Sequence, residues 1–93
     1  MTPEGRVKKE IKDYLNSLGS DCWYFMPSMM GYGRKGIPDF VGALGGVPFV
    51  IEVKAEGKLT QVTPWQLREL EAAKKAGVTA LLVDNVEDVK SAL

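Results

Sequence analysis

The sequence predicts an α/β fold in the order αβββαβα, with a mixed sheet flanked by helices. Three observations carry this reading. Gly45-Gly46 separates two apolar runs in the manner of a tight hairpin turn. Helical periodicity opens at Thr63-Pro64-Trp65-Gln66, after the second run, and a further strand follows at Thr79 to Val83. A hairpin followed by a helical crossover to another strand combines antiparallel and parallel pairing, so the sheet is mixed.

Residues from about 3 to 18 form the first predicted helix. Val7, Ile11, Tyr14, Leu15 and Leu18 recur at helical spacing, Pro3 suits the first turn and Gly19 suits the stop. Glu4 falls within the apolar stripe, three residues before Val7. Cys22 to Met26 reads as a first strand ended by Pro27, with Trp23, Tyr24 and Phe25 alternating between core and outer face. Ser28 to Gly36 is a glycine-rich loop carrying Met29, Met30, Arg34 and Lys35. Its two methionines suit either an oligomer contact or a DNA-facing tip. Asp39 to Leu44 is the second strand and Phe49 to Ala55 the third, followed by a connector from Gly57 to Val62. The next helix has Thr63 as cap, Pro64 at its first position and Gln66 three after the cap. It is expected to turn Leu67, Leu70, Ala73 and Ala76 inward and to stop at Gly77. Asn85 then caps a closing helix with Val86, Val89 and Leu93.

At 93 residues the chain reads as one domain, 1–93, with a modest core. No apolar run approaches the ~20 residues that span a bilayer, and the N-terminus lacks signal-peptide character. With its lone Cys22, this suggests a cytoplasmic, reducing setting, including that of a phage protein inside its host. The sequence has no histidine, so a zinc cage or a histidine-based nucleophile relay lacks its parts. A metal would be held by oxygen ligands, which favours Mg²⁺ or Mn²⁺. Zero net charge argues against a protein that coats nucleic acid. Arg6, Lys8, Lys9 and Lys12 on the first helix read as a solvated face.

The chemistry-bearing residues lie on and before the hairpin. In Phe49-Val50-Ile51-Glu52-Val53-Lys54-Ala55, side chains two apart share a face. Glu52 and Lys54 therefore project with Val50, while Phe49, Ile51 and Val53 take the opposite face. Charges inside an apolar strand cost free energy unless they are paired or bind a metal. Asp39, after Gly36-Ile37-Pro38, supplies a second carboxylate. Two carboxylates and an ammonium on a half-exposed strand edge are the minimal parts for metal-assisted phosphodiester hydrolysis.

With these residues in this element order, the chain resembles the PD-(D/E)xK nuclease superfamily, whose restriction-endonuclease-like core is αβββαβ. Within it the chain resembles a stand-alone VRR-NUC domain. The carrying motifs are Gly36-Ile37-Pro38-Asp39, Ile51-Glu52-Val53-Lys54 and Thr63-Pro64-Trp65-Gln66, within a match running from Glu4 to the C-terminus. The resemblance implies that Asp39, Glu52 and the main-chain carbonyl of Val53 ligate the metal, and that Glu4 completes or extends its coordination. It further implies that Lys54 orients or helps deprotonate the attacking water. Gln66 would support that lysine and the substrate phosphate, with Gln61 as a rival because the stretch after Lys54 is longer than usual.

The resemblance also implies a homodimer that resolves four-way (Holliday) junctions in DNA repair, leaving 5′-phosphate and 3′-hydroxyl ends. The alternatives are a flap or fork nuclease, an RNA-directed nuclease, and a non-catalytic nucleic-acid- or protein-binding module on the same fold. Read without the resemblance, Glu52 and Lys54 equally suit an ion pair on a solvated sheet face, and Asp39 equally suits a turn residue. Trp65 and Tyr14 read as core or interface residues rather than stacking platforms.

Overall fold

The computed structural model of the chain describes residues 1–28 and 33–93. Helix α1 (Pro3–Ser17) is followed by strands β1 (Cys22–Phe25), β2 (Phe40–Leu44) and β3 (Val47–Val53). Then come helix α2 (Pro64–Lys75), strand β4 (Thr79–Val83) and helix α3 (Val86–Ala92). The strands form one sheet in the order β1-β2-β3-β4. The first two pairings are antiparallel and β3–β4 is parallel, giving the mixed sheet. The α/β class and the predicted element order hold. The loop expected over Ser28 to Gly36 is described only in part, and Met29 and Met30 lie outside the described residues.

Local chemistry explains the boundaries. Thr2 caps α1 by accepting from the Gly5 N–H at 2.9 Å, with proline in the first turn. Gly45 and Gly46 have φ of +57° and +84° and join Leu44 to its partner Val47, a two-residue turn that only left-handed residues make without strain. Asn85 caps α3 by accepting from the Asp88 N–H at 2.9 Å. Single 3-10 turns at Gly19–Asp21 and Leu59–Gln61 are additions to the predicted order.

The two faces of the sheet are roofed differently. Val7, Ile11 and Leu15 of α1 and Val89 of α3 pack on Phe40, Phe49, Ile51, Val53 and Val83, and this is the core. Phe49, Ile51 and Val53 thus lie together on the core side, as the strand periodicity predicts. Helix α2 packs against β3 and β4, on the face that carries Val50, Glu52 and Lys54.

The inward stripe of α2 departs from the prediction. Leu70 is buried and Ala73 half-buried, but Leu67 and Ala76 are exposed. The cap fixes the rotation of the helix: Gln66, not Leu67, faces the sheet, and the inward row runs through Gln66, Glu69, Leu70 and Ala73. A second correction concerns β3. It is an interior strand, so Glu52 and Lys54 are buried, 3% and 8% exposed, rather than standing on a half-exposed edge.

Candidate active site

Asp39 stands one residue before β2, and the sheet register explains what it does there. Phe40 pairs with Ile51, so continuing the antiparallel register sets Asp39 opposite Glu52 and Pro38 opposite Val53. Proline has no N–H to give to the Val53 carbonyl. The Asp39 side chain takes over the other half of the ladder, its Oδ2 accepting from the Val53 N–H at 2.7 Å. N–H and C=O of one strand residue point to the same neighbour. The Val53 carbonyl is thereby aimed toward the Asp39 side without a proline donor to occupy it.

Glu52 is the centre of the site. Its Oε2 accepts from Gln66 Nε2 at 3.1 Å and lies 3.8 Å from Lys54 Nζ. Its Oε1 is buried with no hydrogen-bond partner among the described residues. Burial drives its carboxyl up to about 8, the neighbouring Asp39 carboxylate adds to the rise, and the Lys54 ammonium opposes it. Burial thus favours the protonated form of the metal-free group, and a cation brought to it would favour the carboxylate.

Gln66 has no freedom in which end of its amide it offers. Its Oε1 accepts from the Thr63 N–H at 2.9 Å while the Thr63 hydroxyl accepts from the Gln66 N–H at 3.1 Å, the reciprocal capping box of α2. The amide nitrogen is left to face Glu52. Of the two glutamines considered, Gln66 enters the site, whereas Gln61 is exposed on the 3-10 turn. Gln66 reaches Glu52 rather than Lys54.

Glu4 and Asp39 meet through a residue that the lysine pattern assigns to a solvated face. Lys8 Nζ lies 3.2 Å from Glu4 Oε2 and 3.2 Å from Asp39 Oδ1. Partial burial works against its charge, but the Asp39 and Glu4 carboxylates prevail and hold its pKa above the ordinary lysine value. The available signal was the spacing: Glu4 and Lys8 are four apart, hence neighbours on one helix face, and Glu4 already lay in the inward stripe. Of that cluster, Arg6, Lys9 and Lys12 are exposed as expected.

Among the described residues no three acidic, cysteine or histidine side chains converge as a metal cage. What converges is Asp39, Glu52, Lys54 and Gln66, with Glu4 joined to Asp39 through Lys8.

No family model matches the chain, and no curated protein matches it. Solved structures do. One, described as a VRR_NUC domain, is 35% identical over 98% of this chain and 94% of its own, with a TM-score of 0.80. Another, described as a VRR_NUC domain protein, is 18% identical over 95% of this chain and 82% of its own, with a TM-score of 0.74, and shares the fold. An acidic and lysine centre on the sheet hairpin, in a chain matched almost end to end at that identity, places this protein in the VRR-NUC family of nuclease domains.

Proposed function

We propose that the chain is a single-domain, Mg²⁺- or Mn²⁺-dependent endodeoxyribonuclease that acts on branched DNA as a homodimer, with four-way junctions as its substrate. The observation that carries the hydrolytic part is the buried Oε1 of Glu52, without a hydrogen-bond partner among the described residues, beside Asp39 and Lys54. A buried carboxylate oxygen without a donor is costly, and a cation is the partner it lacks. Asp39 Oδ1 already attracts one cation, the Lys8 ammonium. Two carboxylates and the Val53 carbonyl make an oxygen-only, incomplete ligand set, as suits an ion that keeps several waters. Glu4 would extend it. The chemistry such an ion supplies is Lewis-acid activation of water and screening of the phosphate charge.

The chain's own groups do the rest. Lys54 is buried and sets a fixed positive charge beside Glu52, where negative charge grows as the phosphodiester is attacked. Gln66 holds the Glu52 carboxylate in one orientation, and the Val53 N–H does the same for Asp39. A domain of this size has little surface for reading bases, so backbone shape and phosphate contacts select the substrate.

Support for the dimer comes from the face of β1 turned away from the core. Trp23 is 64% exposed and Phe25 47%, their ring centroids 5.6 Å apart. They pair across the sheet with Ala43 and Val41. A two-fold dimer would present two centres to a substrate of near two-fold symmetry.

The test is cleavage of labelled four-way, flap, fork and linear duplex DNAs with Mg²⁺ or Mn²⁺. Asp39→Ala and Glu52→Ala should each lose cleavage and metal binding together. Lys54→Ala should keep metal binding while losing about a hundredfold or more in single-turnover rate, since its charge acts in the transition state. Wild-type activity in either carboxylate variant sinks the assignment, and a preference for flaps sinks only the substrate.

A further inference from the structure

Trp65 sits at the second position of α2, and the sequence pattern would bury it, yet it is 45% exposed. Two cations lie against its indole ring: Lys35 Nζ is 5.2 Å and the Arg68 guanidinium carbon 5.0 Å from the ring centroid. Neither has a carboxylate partner among the described residues, whereas neighbouring Arg34 is paired with Glu69. The arrangement is forced by close packing. Gly36, at φ +83°, lies so near the start of α2 that a Cβ on it would meet the Trp65 carbonyl at 2.4 Å. The loop is thereby seated on the helix and delivers Lys35 to the indole.

Two like charges brought to one ring repel, and both lie near the positive end of the α2 dipole, where cations are disfavoured. Attraction to the ring offsets part of this. What would stabilise the cluster fully is an anion. The three residues, with Arg34 and Glu69, line a cavity of about 180 Å³ open to solvent. Gln66, the very next residue, contacts Glu52.

We propose that Lys35 and Arg68, held in place by Trp65, form a docking shelf for a backbone phosphate of the nucleic-acid substrate beside the cleavage centre. This rests on the nuclease reading above. The two cations bind the phosphate and Trp65 is a positioning residue. The shelf extends the grip from the reacting phosphate to a neighbouring one, fixing the strand's direction across the site.

The test is binding of a fluorescently labelled duplex to the full chain by anisotropy, over a salt series in EDTA so that no cleavage occurs. Each neutralised phosphate contributes about 0.9 to the slope of log affinity against log salt. The double variant Lys35→Ala/Arg68→Ala should bind about tenfold more weakly at low salt, with a slope shallower by about 0.9. Lys35→Arg/Arg68→Lys should keep the wild-type slope. Trp65→Leu, which keeps both charges, should weaken binding by about threefold and lower the slope by less than the double variant. An unchanged slope in the double variant overturns the shelf and leaves the nuclease reading intact, as would a wild-type protein whose binding is salt-independent. The expected slope change, in a protein that cleaves nothing when Mg²⁺ is restored, supports the shelf and sinks the catalytic assignment alone.

Discussion

Lys8 Nζ lies 3.2 Å from Asp39 Oδ1 and the same distance from Glu4 Oε2, so a single ammonium joins α1 to the acidic residue just before β2. On the proposed reading it occupies the carboxylate face that a divalent ion would use, so the two cations would compete. Lys8→Ala should tighten Mg²⁺ and Mn²⁺ binding about fivefold by calorimetry, and lower metal-free stability by about 1 kcal/mol, since two acidic groups lose their partner. Because the Lys8 pKa is raised, its contribution to stability is complete at neutral pH and is lost only as pH climbs past the ordinary lysine value. Weaker metal binding in the variant would show that the ammonium assists the ion instead of displacing it.

Glu52 gives the metal-free protein a pH dependence of definite sign. Its carboxyl titrates near 8 in the fold, against an ordinary value of 4.5. Below about pH 4.5 both folded and unfolded chains hold the proton. Between about 4.5 and 8 only the folded chain does, so stability falls as pH rises and the loss is complete above the folded value. Thermal melts in EDTA should show this decline. Glu52→Gln should flatten it and be more stable than wild type at pH 8, because no buried charge forms. Divalent metal binding to the wild type at pH 7 should release close to one proton, measured by calorimetry in buffers of different ionisation enthalpy. A decline that survives in Glu52→Gln would assign it to other groups.

Gly36 connects the loop to the chemistry. A Cβ there would lie 2.4 Å from the Trp65 carbonyl and 2.7 Å from the Gln66 nitrogen, and the backbone has φ +83°. Gly36→Ala should therefore cost about 2–4 kcal/mol and shift the first turn of α2. The Gln66–Glu52 bond would go with it, and cleavage should fall about tenfold or more even where the fold survives. Denaturant melts and single-turnover rates on the same preparation separate the two effects. Full activity in a destabilised Gly36→Ala would mean that the loop only packs.

What could be read from the residues follows from how local each signal is. Period-two burial in β3, the Gly45-Gly46 turn and the Thr63 and Asn85 caps are encoded within a few residues, and each appears where its pattern lies. The phase of α2 is not carried by its apolar pattern, which Leu67 and Ala76 also suit. The reciprocal bonds of Thr63 and Gln66 set the rotation instead. The position of β3 inside the sheet, and so the burial of Glu52 and Lys54, depends on strand order, which no local pattern carries. Lys8 was hidden for the same reason: its partner Asp39 is thirty-one residues away in sequence. Gly36 was legible as loop punctuation, but its contact with α2 was not.

The face of β1 turned away from the core bears on the oligomer. Trp23 and Phe25 alternate with Cys22 and Tyr24, which pack toward the core, so the two exposed rings are a consequence of strand geometry rather than of disorder. β1 is also an edge strand, hydrogen-bonded on one side alone within the described sheet. Large apolar rings on an exposed strand face are a normal means for a small domain to gain burial by self-association. Trp23→Lys/Phe25→Lys places like charges where two copies would meet, without touching the core side. Light scattering at micromolar protein should give a dimer for the wild type and a monomer for the variant. The variant should retain its metal binding and nick linear or branched DNA singly, while paired symmetric nicks in a four-way junction should fall at least tenfold, because two linked centres are needed to make them together. A wild-type monomer, or a variant that stays dimeric and still makes paired nicks, would remove this face from the assembly and leave the Asp39–Glu52–Lys54 chemistry to be judged by its own tests.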